Sequence, residues 1–129
     1  MASIRREIVV EVSADVAWAA VRDVGAAHRL FRGVLVDARL DGDARIVTFA
    51  NGMVLRELIV DVDDEARRLV YASVGGRTSH HNASMQVVPE DAGRSRIVWI
   101  ADFLPNELEE SIAQLMDAGI AAAKSNLES

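Results

Sequence analysis

The chain predicts an α+β fold: a seven-stranded curved antiparallel sheet, two short helices after the first strand, and a long carboxy-terminal helix. Three observations predict it. From Val34 onward apolar and polar residues alternate in runs separated by short turn signals, among them Asp41-Gly42-Asp43 and Asn51-Gly52, the strongest hairpin signal present. Helix-start residues, Ser13 and then Asp15, interrupt that alternation after a single strand. The last part of the chain, from Pro105, switches to a helical period.

Each element follows in order. Ile4, Arg6, Ile8, Val10 and Val12 share one face of a period-2 pattern, so residues 3–12 form the first strand. Ser13 ends it and caps a helix from Ala14 to about Asp23, whose apolar stripe is Val16, Trp18, Ala20 and Val21. A second short helix starts at Gly25 or Ala26, runs to about Arg32 and stops at Gly33, which can supply a left-handed residue. Six strands come next: Val34–Asp41, Ala44–Ala50, Met53–Val62, Arg68–Val74, Ser79–Val88 and Arg96–Phe103. Their connections are short, which favours an antiparallel meander, and seven strands make a sheet that must curl.

The closing helix begins after Pro105, with Asn106 as cap and Glu109 in capping-box position. Leu108, Ile112, Leu115, Gly119, Ala123 and Leu127 lie along one face. The second half of that face is small, with Gly119 and Ala121-Ala122-Ala123. Two readings stand: close packing on the sheet, or space left for a ligand.

At 129 residues the chain fits one domain, 1–129, with room for a substantial core. Hydrophobic residues make up 50 % and charged residues 26 %, the balance of a soluble globular protein. No apolar run approaches the roughly 20 residues of a membrane span, so no membrane insertion is expected. Arg5 and Arg6 near the amino terminus are not followed by the apolar segment of a signal peptide. The absence of cysteine excludes disulfides and thiolate chemistry and is compatible with a cytoplasmic location. A net charge of -6, with 14 basic residues scattered among 20 acidic ones, argues against a nucleic-acid partner.

Polar residues stand where apolar strands should bury a face: Arg45 after Gly42-Asp43-Ala44, Arg56 and Glu57 within Val54-Leu55-Arg56-Glu57-Leu58, and Tyr71 after Leu69-Val70. An unpaired buried charge costs several kcal/mol, so a polar-tipped cavity or a mutual pairing must hold them. A hairpin can bring Tyr71 onto the face of Glu57. Arg56 competes with Glu57, because a one-residue slip exchanges the two faces. On the strand Ser79–Val88, His81, Ala83 and Met85 share one face and His80, Asn82, Ser84 and Gln86 the other. Adjacent strand residues point apart and His28 is isolated, so no metal site is expected. No phosphate-cradling loop or nucleophile elbow occurs, and no cofactor is implied. Trp18 and Trp99 read as core residues.

The order of elements resembles the helix-grip fold of the START-like superfamily, also called SRPBCC, which includes birch-pollen-allergen-like proteins. Within it the chain is similar to the polyketide cyclase/dehydrase-like family, to which plant lachrymatory-factor synthase and the abscisic-acid receptors are related. Ala14-Asp15-Val16-Ala17-Trp18 with Val21-Arg22-Asp23 carries the resemblance, together with Gly42-Asp43-Ala44-Arg45, Leu55-Arg56-Glu57-Leu58 with Asp61, Asp63 and Asp64, Leu69-Val70-Tyr71, and Val98 to Pro105. It implies a sheet gripping the long helix around a cavity for a hydrophobic small molecule, open near the two short helices and the strand-connecting loops. It also implies catalytic roles for Glu57, Arg45 and Tyr71. Burial would let Glu57 accept and return a proton, Arg45 could hold an anion or enolate, and Tyr71 could donate a hydrogen bond. A direct Arg45–Glu57 pair would instead keep the carboxylate charged and weaken it as a base.

His81, Phe31, Phe49, Met85, Met116 and Gly119 are the expected ligand-binding residues. The chain departs from the family where relatives often read Trp-His-Pro after the second helix and Leu30-Phe31-Arg32 stands here. The implied function is a cyclase, dehydratase or isomerase acting on a polyketide-like substrate, or a non-catalytic carrier or sensor of an apolar ligand, as a monomer or homodimer. One scaffold hosts both.

Overall fold

The computed structural model describes residues 1–129. Strand β1 (Ala2–Val10) is followed by helix α1 (Ala14–Arg22), a 3-10 turn (Val24–Ala26) and the single-turn helix α2 (Ala27–Leu30). Strands β2 (Leu35–Asp41), β3 (Ala44–Phe49), β4 (Val54–Asp63), β5 (Arg68–Val74), β6 (His80–Asp91) and β7 (Arg94–Leu104) come next, and α3 (Glu109–Glu128) closes the chain. One antiparallel sheet has the order β1-β7-β6-β5-β4-β3-β2, so the meander folds back until β7 pairs with β1. The helix-grip fold expected from the sequence is the fold observed. No helix is long and apolar enough to cross a membrane.

Alternation decides which residues face the helices. On β6, Ala83, Met85 and Val87 are buried while the residues between them are partly exposed, and on β7 Ile97, Ala101 and Phe103 are buried in the same phase. Helix α3 lies along β1. Arg6 Nε meets Asp117 at 2.6 Å, and Lys124 Nζ donates to the carbonyl of Val9 at 2.9 Å. Asn126 donates to the carbonyls of Leu30 and Arg32 at 2.8 and 3.1 Å, fastening the end of α3 to the α2–β2 connection. The β4–β5 turn docks on α1, where Asp64 accepts from Trp18 Nε1 at 2.9 Å and from Arg22 Nε at 2.7 Å.

Several local expectations are corrected. Val16 is 53 % exposed; α1 buries Ala14, Ala17, Trp18 and Val21, the spacing that 3.6 residues per turn requires. The second helix is shorter than expected and opens as a 3-10 turn that passes close to Leu40. A Cβ on Gly25 would lie 2.9 Å from Leu40 Cγ. Asn106 makes no capping bond, since residues 106–108 form a 3-10 turn before α3 begins. Strand β6 continues through Pro89, where β5 no longer pairs with it and a bulge between Pro89 and Asp91 removes the need for an amide donor.

Candidate functional site

Between the inner face of the sheet and α3 lies a cavity of about 380 Å³. Arg45, Glu57 and Tyr71 line its closed end, and all three are buried. Their meeting follows from register. Arg45 on β3 stands directly opposite Glu57 on β4, and Tyr71 on β5 opposes Ile59, two residues along from Glu57. Arg56 takes the other face, paired with Asp41 at the surface. The question left open by the sequence is thus settled: Glu57 faces the cavity and Arg56 does not.

The pair is closed on itself. Arg45 Nε donates to Glu57 Oε1 at 2.8 Å, with Arg45 5 % and Glu57 7 % exposed. Arg45 Nη1 reaches the carbonyl of Val24 at 3.5 Å, and the guanidinium carbon sits 5.0 Å from the centre of the Tyr71 ring. The positive charge is therefore spent inside the protein rather than presented to a bound anion. Glu57 Oε2 has no hydrogen bond within the chain, and Glu57 lines the cavity. Tyr71 Oη accepts from Trp99 Nε1 at 3.0 Å. Burial first, and the negative charge of Glu57 second, push the Tyr71 phenol well above its ordinary value, so it stays a hydrogen-bond donor at neutral pH.

Phe31, Phe49, His81, Met116 and Gly119 line the same cavity. Met85 does not. It borders a much smaller void of about 10 Å³ beneath, and Phe31, Arg45 and Tyr71 line both spaces and so divide them. Gly119 answers the question of the small residues on α3. A Cβ there would come 2.9 Å from Trp99 Cζ3, so glycine lets the indole lie against the helix backbone. Trp99, assigned to the core from sequence alone, is a lining residue, its ring tilted 36° against Phe31 with ring centres 5.8 Å apart. Its alternation with Ala101 and Phe103 on the inner face of β7 was the available signal. The entrance lies at strand-connecting loops, as expected, but not at the short helices. The exposed lining residues are Asn51, Gly75, Arg77, Ser111 and Gln114, so the β3–β4 turn, the β5–β6 loop and the start of α3 frame the mouth. The short helices sit at the closed end.

His81 is half-buried beside the mouth, its Nδ1 2.7 Å from Ser73 Oγ and its ring edge-on to Phe103. Burial, then the neighbouring His80, hold its imidazole below the ordinary value, against a smaller opposing pull from Asp102. The folded chain therefore resists a proton that the unfolded chain accepts near pH 6.5. Stability is expected to fall as the pH drops through that value. Urea denaturation at pH 7.5 and 5.5 should show a smaller difference in His81→Asn than in the wild type; equal differences would remove His81 as the cause.

A family model described as polyketide cyclase / dehydrase and lipid transport matches residues 1–128. The chain belongs to that family. Solved structures share its fold. A protein from Thermobifida fusca is 31 % identical with a TM-score of 0.82, covering 98 % of this chain and 93 % of its own. The di-domain aromatase/cyclase BexL of the BE-7585A biosynthetic pathway is 16 % identical with a TM-score of 0.87, covering 99 % of this chain and 47 % of its own. Norcoclaurine synthase from Thalictrum flavum, in complex with dopamine and hydroxybenzaldehyde, is 22 % identical with a TM-score of 0.75, covering 98 % and 84 %. No curated protein matches by sequence.

Proposed function

We propose that this chain, acting as one domain, binds an apolar small molecule bearing an uncharged polar group at its buried end. The cavity volume falls in the roughly 300–1,000 Å³ range of small-molecule sites. The observation that carries the reading is the closed Arg45–Glu57 pair with Tyr71 beside it. Glu57 Oε2 can accept a hydrogen bond and Tyr71 Oη can donate one, which suits a hydroxyl, enol or carbonyl group. A carboxylate would have to compete with Glu57 for Arg45.

Catalysis is the second reading, favoured by the free Glu57 Oε2. That oxygen can take a proton from a polyketide-like substrate during cyclisation, dehydration or isomerisation, while Tyr71 donates to the oxygen on which charge grows and Arg45 balances the carboxylate. The ion pair opposes it by holding the Glu57 carboxylate on Arg45 through Oε1.

Untargeted mass spectrometry of a metabolite extract incubated with wild type and with Glu57→Gln separates these readings. Retention of one unchanged mass by both proteins is the result expected for a binder. Conversion by the wild type alone would make it an enzyme with Glu57 in the chemistry. Neither retention nor conversion would sink both.

A further inference from the structure

The two edges of the sheet are finished differently. At β1, α3 supplies Lys124 to the carbonyl of Val9, and the amide of Glu11 just beyond the strand donates to Glu128. At β2 nothing does so: beyond the ladder to β3, no other element hydrogen-bonds to the backbone of residues 36–40. Open edges are commonly blunted by charged side chains or bulges, or shielded by packing, and β2 carries one bulge at Val36. Here the open segment is Val36-Asp37-Ala38-Arg39-Leu40, with Val36 60 % and Leu40 61 % exposed. Asp37 and Arg39 are exposed, and neither forms a hydrogen bond or ion pair through its side chain.

This pattern is complementary to itself. In an antiparallel pairing centred on Ala38, Asp37 of one copy stands opposite Arg39 of the other and Arg39 opposite Asp37, within the regular run that follows the bulge at Val36. Asp37 and Arg39 flank the buried Ala38, so both lie on the outer face. A two-fold axis through the Ala38 pair makes the contact isologous and closed. We propose that the β2 edge pairs with a second copy of this chain, joining two sheets into one of fourteen strands through reciprocal Asp37–Arg39 contacts. The mouth of the cavity is framed by other segments and stays open.

Sedimentation equilibrium of the full chain tests this. The wild type should dimerise at micromolar to tens of micromolar concentration. Each of Asp37→Arg and Arg39→Asp turns two attractions into two repulsions and should raise the dimer dissociation constant roughly tenfold or more. The double exchange D37R/R39D should restore it, and an equimolar mixture of the two single variants should form a heterodimer. Far-ultraviolet circular dichroism should be unchanged, because both side chains are exposed. A wild type that stays monomeric at several hundred micromolar overturns the proposal, as does a dimer indifferent to these substitutions or a double exchange that fails to recover.

Discussion

Arg45→Met should destabilise the fold by about 3–5 kcal/mol, the range for removing one partner of a buried ion pair. The loss comes less from the 2.8 Å contact than from what is left behind, a carboxylate of 7 % exposure with no guanidinium beside it. Glu57→Leu should cost a comparable amount, since Arg45 would keep only the long contact to Val24 and the face of Tyr71. The double variant Arg45→Met/Glu57→Leu should recover most of the stability, because it replaces both charges with apolar groups of similar size. Urea denaturation of the four proteins gives a coupling energy of about 3 kcal/mol or more on this view. Additive losses would mean that each residue is held by something other than its partner. The same double variant should no longer discriminate ligands by their polar group, which ties the stability of the site to its selectivity.

Trp99→Ala should cost about 3 kcal/mol, toward the low end for a large aromatic because Trp99 is only partly buried. It removes the contact with Phe31, the hydrogen bond to Tyr71 and the layer that meets Gly119. Gly119 supplies a sharper check. In the wild type, Gly119→Ala places a Cβ 2.9 and 3.1 Å from Trp99 Cζ3 and Cη2 and should destabilise. In a Trp99→Phe background the contact is relieved, and the same change should be neutral or stabilising by up to about 1 kcal/mol, the helix preference for alanine over glycine. Thermal unfolding of the four proteins reads this sign change. Destabilisation of equal size in both backgrounds would show that something other than the indole holds the position.

The order of strands and helices, the fold family and the polar residues set into apolar strands are all legible in the sequence, because periodicity and turn chemistry are local. Asn51-Gly52 and the alternation in β6 and β7 specified their own geometry. Whether Glu57 or Arg56 faces inward was not local. It depended on register against β3, and Arg45 opposite Glu57 decided it. The partition that removes Met85 from the larger cavity, the exposure of Val16 and the loss of the Asn106 cap likewise depend on which elements meet. Trp99 was read as core because a tryptophan on an inward strand face looks the same whether its far side meets packing or space. The sequence by itself determined a curved sheet closed by a helix, with charged residues in need of partners. Only the tertiary structure decided that Arg45 and Glu57 satisfy each other, with one carboxylate oxygen left unpartnered near the Tyr71 phenol, since pairing across strands fixes distances that spacing along the chain does not.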